Sequence, residues 1–144
     1  MTIEIREFRY GSPEYEFEVE LRKRILRDPL GLKFTKWELE RDKHSVHLGA
    51  FDEGTMIGCL LLSAQTASIA KMRQVAVATE AQGLGVGRKL VVESENMARY
   101  LGFEEIQLSA RDVAVPFYLK LGYEIFGEPF EEVTIPHRKM RKSL

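Results

Sequence analysis

The sequence is poor in the residues that build cross-links and metal centres. It contains one cysteine, Cys59, and three histidines among 144 residues. A single thiol cannot form an intramolecular disulfide, and no group of His, Cys, Asp and Glu has the spacing of a metal site. We therefore predict no bound metal, and the apolar run at 56–62 predicts that Cys59 is a buried small hydrophobic residue.

A charge imbalance and a long apolar segment are also missing. Lys and Arg number 21 against 22 Asp and Glu, so the net charge of -1 gives no reason to expect nucleic acid or an anionic membrane as a partner. No segment approaches the roughly 20 apolar residues that cross a bilayer, and the N-terminus does not resemble a signal peptide. With 44% hydrophobic and 30% charged residues, we expect one cytoplasmic domain, 1–144.

The N-terminal third predicts a strand and two helices. Apolar and charged residues alternate over 2–9, which is typical of a strand. Ser12 followed by Pro13 indicates a helix start, and Asp28-Pro29 ends that helix. Thr35 and Glu38 form a capping-box pattern that opens a short helix at about 36–43.

The middle of the chain predicts an antiparallel meander. Its three strands cover 45–52, 56–64 and 69–78, and a turn at 52–55 joins the first two. His44 and His47 flank the start of the first strand of this meander, and we interpret both as solvent-facing.

The C-terminal half predicts a β-α-β crossover and two closing strands. Gly102 and Gly122 are placed to end two helices, and Asp112 is expected to cap the second of them. The basic run at 138–142 is interpreted as a frayed, solvent-exposed end. The predicted order β-α-α-β-β-β-α-β-α-β-β indicates a mixed α/β domain, with strands in this half at 105–110, 123–126 and 133–140.

A glycine-rich segment at 82–87 stands between a predicted strand and a predicted helix. Glycines let the main chain adopt positive φ and approach a ligand closely, and the first amides of a helix attract negative charge. Arg88 adds a cation, so the segment is typical of a phosphate-binding loop. Its spacing matches neither a Walker loop nor the G-x-G-x-x-G dinucleotide fingerprint. A tight strand–helix turn without a ligand is the alternative interpretation.

Two independent motifs resemble those of one enzyme superfamily. Gln82-Gly83-Leu84-Gly85-Val86-Gly87, preceded by Val75-Ala76-Val77, matches the pattern Gln/Arg-x-x-Gly-x-Gly/Ala. Phe117-Tyr118-Leu119-Lys120-Leu121-Gly122-Tyr123 matches Phe-Tyr-x-Lys-Leu-Gly-Phe/Tyr. On these residues the sequence resembles the GNAT N-acetyltransferase superfamily over about 46–140, and its ending at 135–140 resembles small bacterial members.

The resemblance implies a fold and a cofactor. The fold is α/β of the mixed, α+β type: a mostly antiparallel sheet of about six to seven strands flanked by about four helices, with one splayed strand pair. The reaction is direct transfer of an acetyl group from acetyl-CoA to a primary amine. The residues expected to hold the cofactor are Val75, Ala76, Val77, Gln82, Gly83, Leu84, Gly85, Val86, Gly87 and Arg88.

The resemblance also implies how the reaction is catalysed. A backbone N–H of strand 75–77 would stabilise the oxyanion, and Tyr118 would protonate the leaving thiolate. The superfamily has no universal base, and we expect Glu132 and His137 on the acceptor side, with Glu131 a further candidate. The alternatives are a core aromatic for Tyr118, a polar strand residue for His137 and a solvated face for the glutamates.

One position departs from the superfamily. Many members carry Asn where this sequence has Arg111, and that Asn contacts the cofactor arm. We expect Arg111 to reach a cofactor phosphate instead, which leaves the usual arm contact open.

Two other functions stay open at this point. A protein with this loop could bind acyl-CoA as a sensor or interaction module without turnover, or it could act on a nucleotide phosphate. The acceptor amine, the acyl length and the oligomeric state are not assigned, although homodimers are common in the superfamily.

Overall fold

A seven-stranded sheet forms the centre of the molecule in a computed structural model that describes residues 2–144. The strand order is β1-β2-β3-β4-β5-β7-β6, and all neighbours are antiparallel except the parallel pair β4–β5. This topology confirms the mixed α/β class. The strands are β1 (Ile3–Phe8), β2 (Val46–Asp52), β3 (Thr55–Ala64), β4 (Ile69–Val77), β5 (Glu105–Arg111), β6 (Glu124–Glu132) and β7 (Ile135–Ser143).

Four α-helices flank this sheet, and local sequence signals set two of their starts. Ser12 Oγ accepts a hydrogen bond from the Tyr15 amide at 3.3 Å at the start of the first helix. Thr35 and Glu38 form the predicted capping box, with both bonds at 3.1 Å. The helices are α1 (Pro13–Arg22), which continues as a π-helical turn at Lys23–Arg27, α2 (Lys36–Glu40), α3 (Val86–Tyr100) and α4 (Val115–Lys120).

Helices α1 and α3 pack on opposite faces of the sheet. Gly58 on β3 faces Val86 and Leu90 of α3, where a Cβ atom would come within 2.9 Å of both side chains. His47 on β2 faces α1, because its ring contacts the Glu18 carboxylate there. Each face of the central strands is therefore covered, and Cys59 on β3 is fully buried as predicted.

The predicted cap at Asp112 is wrong. A 3₁₀ turn occupies Asp112–Ala114, and α4 begins only at Val115 with Pro116 in its first turn and no side-chain cap. Proline fixes a helical φ and needs no hydrogen bond at this place, so it starts the helix without help from the aspartate.

The interpretation of the basic C-terminal run as a frayed end is also wrong. Strand β7 lies between β5 and β6 and is paired on both sides over most of its length. Met140 in the middle of the run is fully buried, while Lys142 bonds to Glu95 at 3.0 Å and to the carbonyl of Leu121 at 2.7 Å. The basic side chains therefore belong to a paired strand, in which Arg138, Arg141 and Lys142 also have hydrogen-bond partners.

Candidate active site

The parallel strands β4 and β5 separate to form a cleft. They pair only where Ile69–Lys71 lies beside Glu105–Gln107. Beyond this point β4 stays paired with β3, and β5 stays paired with β7 as far as Arg111. The facing edges of the two strands are left with unused main-chain groups, and the gap opens into a cleft of about 910 Å³.

A bulge shapes the β4 wall of this cleft. Cys59 and Leu61 of β3 pair with Ala76 and Arg73, so two residues of β4 stand opposite one residue of β3. Gln74 takes φ 55 there, a left-handed conformation that is unusual for a residue with a side chain. The bulge turns the strand between 73 and 76 and changes the direction in which its amides point.

The glycine-rich loop closes one end of the cleft with free amides. Gly83 and Gly85 have φ of 80 and 84, and Gly85 is the residue before the first turn of α3. Within residues 2–144 no hydrogen-bond acceptor is found for the amides of 83–88, and the first intrahelical bond to this turn comes from Lys89. Gln82 braces the loop by donating from Nε2 to the Val77 carbonyl at 3.1 Å.

These amides fit a diphosphate. A row of unpaired N–H groups at the positive end of the α3 dipole is an anion site by itself. The turn is open rather than sealed, because Gly83, Gly85 and Arg88 are exposed. Gly87 faces Phe117 of α4 closely enough that a Cβ would lie 3.3 Å from its ring, so only a small residue fits at this crossing.

Tyr118 is buried in the wall of the cleft, 6% exposed. Its ring meets those of Phe117 and Tyr123 edge-on, at centroid distances of 4.9 and 5.7 Å. Burial raises the pKa of Tyr118 to about 12, so the phenol keeps its proton throughout the neutral range.

His137 lies on β7, in register with Arg111 of β5 and Phe130 of β6. Its Nδ1 is 2.7 Å from the carbonyl oxygen of Ile135, which can only accept. Nδ1 therefore carries a proton, and in the neutral ring Nε2 is the nitrogen that has the lone pair. Nε2 is 3.6 Å from the Glu132 carboxylate, and both residues line the cleft.

The cleft brings together all but two of the site residues that the sequence singled out. Leu84 is one exception, since it is 56% exposed and does not line the cleft. Glu131 is exposed on β6 and also lies outside the lining. Arg111 lines the cleft but donates from Nη2 to the Leu26 carbonyl at 3.3 Å, so its contact with a cofactor phosphate stays a prediction.

The comparisons with known proteins match this geometry. A family model described as an acetyltransferase (GNAT) domain matches residues 31–144. The uncharacterized N-acetyltransferase YitI of Bacillus subtilis is 30% identical over 118 residues, 78% of this chain and 79% of the relative. The chain belongs to the GNAT acetyltransferase family. This membership supports acyl or acetyl transfer as the general activity.

Solved GNAT structures share the fold over the whole chain. An acyl-CoA N-acyltransferase from Pseudomonas aeruginosa superposes with a TM-score of 0.84 at 20% identity, covering 98% of this chain and 99% of its own. A GNAT family acetyltransferase from Elizabethkingia anophelis, solved with acetyl-CoA bound, gives a TM-score of 0.78 at 18% identity and covers 99% and 98%. At these identities the likeness concerns the fold alone.

A buried charge cluster that the sequence did not reveal lies beneath the GNAT cleft. Arg22 of α1 is fully buried and donates from Nη1 to Asp42 Oδ2 at 2.7 Å, while Glu18 Oε2 is 3.5 Å away. The Tyr15 hydroxyl donates to the same Asp42 oxygen at 2.8 Å. Burial alone would lower the pKa of Arg22, but the bond to Asp42 and the charge of Glu18 raise it overall.

His47 belongs to this cluster, so its interpretation as solvent-facing is wrong. Its Nδ1 is 3.1 Å from Glu18, its Nε2 is 2.8 Å from the Asp42 carbonyl, and the side chain is 1% exposed. Burial acts to lower the pKa of His47, but Glu18 outweighs burial and raises it. His44 is exposed as predicted. The signal for the cluster is the spacing of Glu18 and Arg22, which puts both on the same helix stripe as Tyr15.

Within residues 2–144, no group of three or more His, Cys, Asp or Glu side chains could hold a metal ion. In the same range, none of the helices has the length and apolar character needed to cross a membrane.

Proposed function

We propose that the protein is an N-acetyltransferase that moves an acetyl group from acetyl-CoA to a primary amine. The observation that carries the proposal is the run of unpaired amides at 83–88, which stands at the end of a gap between two strand edges. An anion-binding turn followed by an open strand edge suits a diphosphate that continues into an extended, amide-containing arm.

In this proposal the pantetheine arm lies along residues 75–77. These residues are on β4 just before the loop and make no main-chain pair with β5, although the Val77 carbonyl accepts from Gln82 Nε2. The arm then hydrogen-bonds as an extra strand would, and its thioester comes to lie near the bulge. A backbone amide of 75–77 would stabilise the oxyanion, a contribution worth roughly 100-fold or more in rate.

The chemical step is direct attack. The amine nitrogen adds to the thioester carbonyl carbon, the tetrahedral intermediate collapses, and the C–S bond breaks. Tyr118 gives its proton to the departing thiolate, and because the pKa of this phenol is about 12, the phenolate is reprotonated at neutral pH. His137 Nε2 takes the proton that the amine loses, and Glu132 orients the incoming amine.

The remaining parts of the proposal concern the whole chain. We propose that residues 1–144 act as one cytoplasmic domain with acetyl-CoA and an amine as its partners, and without metal, nucleic acid or membrane. A homodimer is compatible with this proposal, and light scattering after size-exclusion chromatography would measure it.

The variant Tyr118→Phe tests the chemistry. We expect kcat to fall about 100-fold, because the general acid is removed, while the Kd for acetyl-CoA changes less than about twofold. Release of CoA thiol and equilibrium binding of acetyl-CoA are the two measurements. Tyr100→Phe is the matched control, because Tyr100 is 86% exposed on α3. Unchanged turnover in Tyr118→Phe would remove the residue from the mechanism, and acetyl-CoA binding without turnover of any amine would indicate an acyl-CoA-binding module.

A further inference from the structure

The cleft is more cationic than the chain that forms it. The chain as a whole has a net charge of -1, yet seven Lys or Arg side chains line the cleft against two glutamates, Glu38 and Glu132. Arg88 belongs to the glycine-rich loop. The other six come from the α1–α2 segment and from the two strand edges: Arg22, Arg27, Arg41, Lys71, Arg73 and Arg111.

Arg73 and Arg41 are two of the cleft cations that lack a full counter-ion, and within residues 2–144 no ion pair is found for Lys71, Arg88 or Arg111 either. The Arg73 guanidinium donates to Ser63 Oγ at 3.3 Å, and its nearest carboxylate oxygen is Asp42 Oδ1 at 3.8 Å, beyond hydrogen-bond distance. Asp42 is already engaged by Arg22 and Tyr15. Arg41 lies over the Trp37 ring at 4.9 Å, and within residues 2–144 no ion pair with a carboxylate is found for it.

The cluster behind the cleft has fewer carboxylates than basic side chains. Its two carboxylates, Glu18 and Asp42, are shared by Arg22, His47 and Arg73. Burial and the neighbouring charges of Arg41 and Arg22 lower the pKa of Arg73 in spite of Asp42. Arg22 and Tyr15 bond to Asp42 Oδ2, and Asp42 Oδ1 has no hydrogen-bond donor, so Arg73 at 3.8 Å is close to this carboxylate without bonding to it.

Arg73 is far from the proposed diphosphate. Arg73 lies four residues before Val77 on β4, which is roughly 13 Å of strand, and the loop lies beyond Val77. An arm that starts at the loop and runs back along 75–77 brings its thioester toward Arg73. The uncompensated charge therefore faces the place where the acceptor must stand.

We propose that the acceptor carries an anionic group, such as a carboxylate or a phosphate, which binds Arg73 and Arg41 while its amine faces Glu132 and His137. This inference rests on the proposed acetyl transfer. The two walls of the cleft have opposite character: Arg41 and Arg73 approach from the α2 and β4 side, and Glu132 and His137 from the β6–β7 hairpin. An amine with an anionic tail matches both.

Matched pairs of acceptors test the inference. Each pair has the same amine with and without the anion: 4-aminobutyrate with butylamine, β-alanine with propylamine, and O-phosphoethanolamine with ethanolamine. In a CoA-release assay we expect kcat/KM of the anionic member to exceed that of its neutral partner by about tenfold or more, because a hydrogen bond to a charged group is discriminating. A preference confined to the carboxylates or to the phosphate supports the proposal and identifies the anion.

Variants of the two arginines make the test specific. In Arg41→Gln and in Arg73→Gln, the kcat/KM of the anionic amine divided by that of its neutral partner should move closer to one. The KM for acetyl-CoA should not change. Lys43→Gln is the control, because Lys43 is an exposed cation of the same 3₁₀ turn as Arg41 and does not line the cleft. Arg41 is exposed, so its variant is expected to fold even if loss of Arg73 disturbs the buried cluster.

Three results would overturn the inference, and they show whether the proposed function fails with it. Turnover in which neutral amines do as well as their anionic partners, or a preference that survives both arginine variants, rejects an anionic acceptor but leaves acetyl transfer standing. Binding of acetyl-CoA without turnover of any member rejects the proposed function, and the acceptor inference falls with it.

Discussion

A buried histidine between a carboxylate and a main-chain carbonyl gives the molecule a pH-dependent stability. His47 is held by the Glu18 carboxylate and the Asp42 carbonyl, and its pKa is raised in the folded state. A group whose folded pKa is raised binds its proton more tightly than it does in the unfolded chain, where the pKa is about 6.5. Its contribution is therefore complete below that unfolded value and is lost as the pH rises through the folded one.

This linkage predicts how His47→Gln behaves. The free energy of unfolding of the natural protein should fall as the pH is raised above about 6.5, by at most about 1.4 kcal/mol per pH unit for one proton. His47→Gln should be less stable at pH 6 and should have a flatter profile. Urea unfolding between pH 6 and 9 is the measurement. His44→Gln is the matched control, since His44 is exposed, and parallel profiles for His47→Gln and the natural protein would contradict the assignment.

The residues of the charge cluster could not be predicted from their neighbours in the sequence. Glu18 and Arg22 have the spacing of an exposed helix pair. Their burial is compensated only because Asp42 and His47, which belong to two other elements, bond to them. The glycines of the loop and Tyr118 could be predicted, because each belongs to a short motif that is complete within a few residues. Local motifs located the proposed cofactor end of the cleft, and the acceptor end depends on contacts between distant segments.

At the level of secondary structure, the turn before α3 needs a left-handed glycine at position 85, and its amides are the proposed site for the diphosphate. Gly85 has φ 84, and a Cβ built there would meet no atom within 4 Å. Replacing it with alanine therefore introduces backbone strain without a steric clash, at a cost of roughly 1–2 kcal/mol. If the strain is relieved by a shift of the turn, the amides of 83–88 lose their common direction.

We predict that Gly85→Ala weakens acetyl-CoA binding about tenfold as well as lowering stability. Gly54→Ala is the matched control, because Gly54 has φ 82, has open space at its Cβ position and lies in the turn between β2 and β3. Both variants should lose similar unfolding free energy, and only Gly85→Ala should bind acetyl-CoA more weakly in a calorimetric titration. Equal affinities in the two variants would show that the turn does not hold the cofactor.

Most elements follow from hydrophobic periodicity, and the last two strands show where that signal fails. Gly127 and Pro129 suggest that a strand ends near 126, yet β6 continues to Glu132 through an irregularity between Phe126 and Phe130. A bulge absorbs the residues that would break a regular ladder. The basic run on β7 hides its buried positions, and its pairing partner β5 lies about 30 residues earlier in the sequence, beyond the reach of a local pattern.

For the molecule as a whole, binding of the proposed cofactor and the free energy of unfolding are thermodynamically linked. A ligand that binds only the folded state stabilises it by RT ln(1 + [L]/Kd), about 2.7 kcal/mol when its concentration is 100 times Kd. For a chain of 144 residues that corresponds to a rise in Tm of roughly 5–10 °C. The cleft lies between β4 and β5 in the middle of the sheet. A bound arm would therefore join one half, β1 to β4, to the other half, β5, β7 and β6, across the gap where main-chain pairing stops.

We therefore expect acetyl-CoA and CoA to raise Tm by similar amounts, since both carry the diphosphate and the pantetheine arm. ATP is the control: it offers phosphates to the amides of 83–88 but has no arm to lie along 75–77, so its effect should be much smaller. Differential scanning fluorimetry at a fixed excess of each ligand measures this. Selective stabilisation by ATP would indicate a nucleotide-phosphate enzyme instead, because ATP has no arm that could bind along the unpaired strand edges.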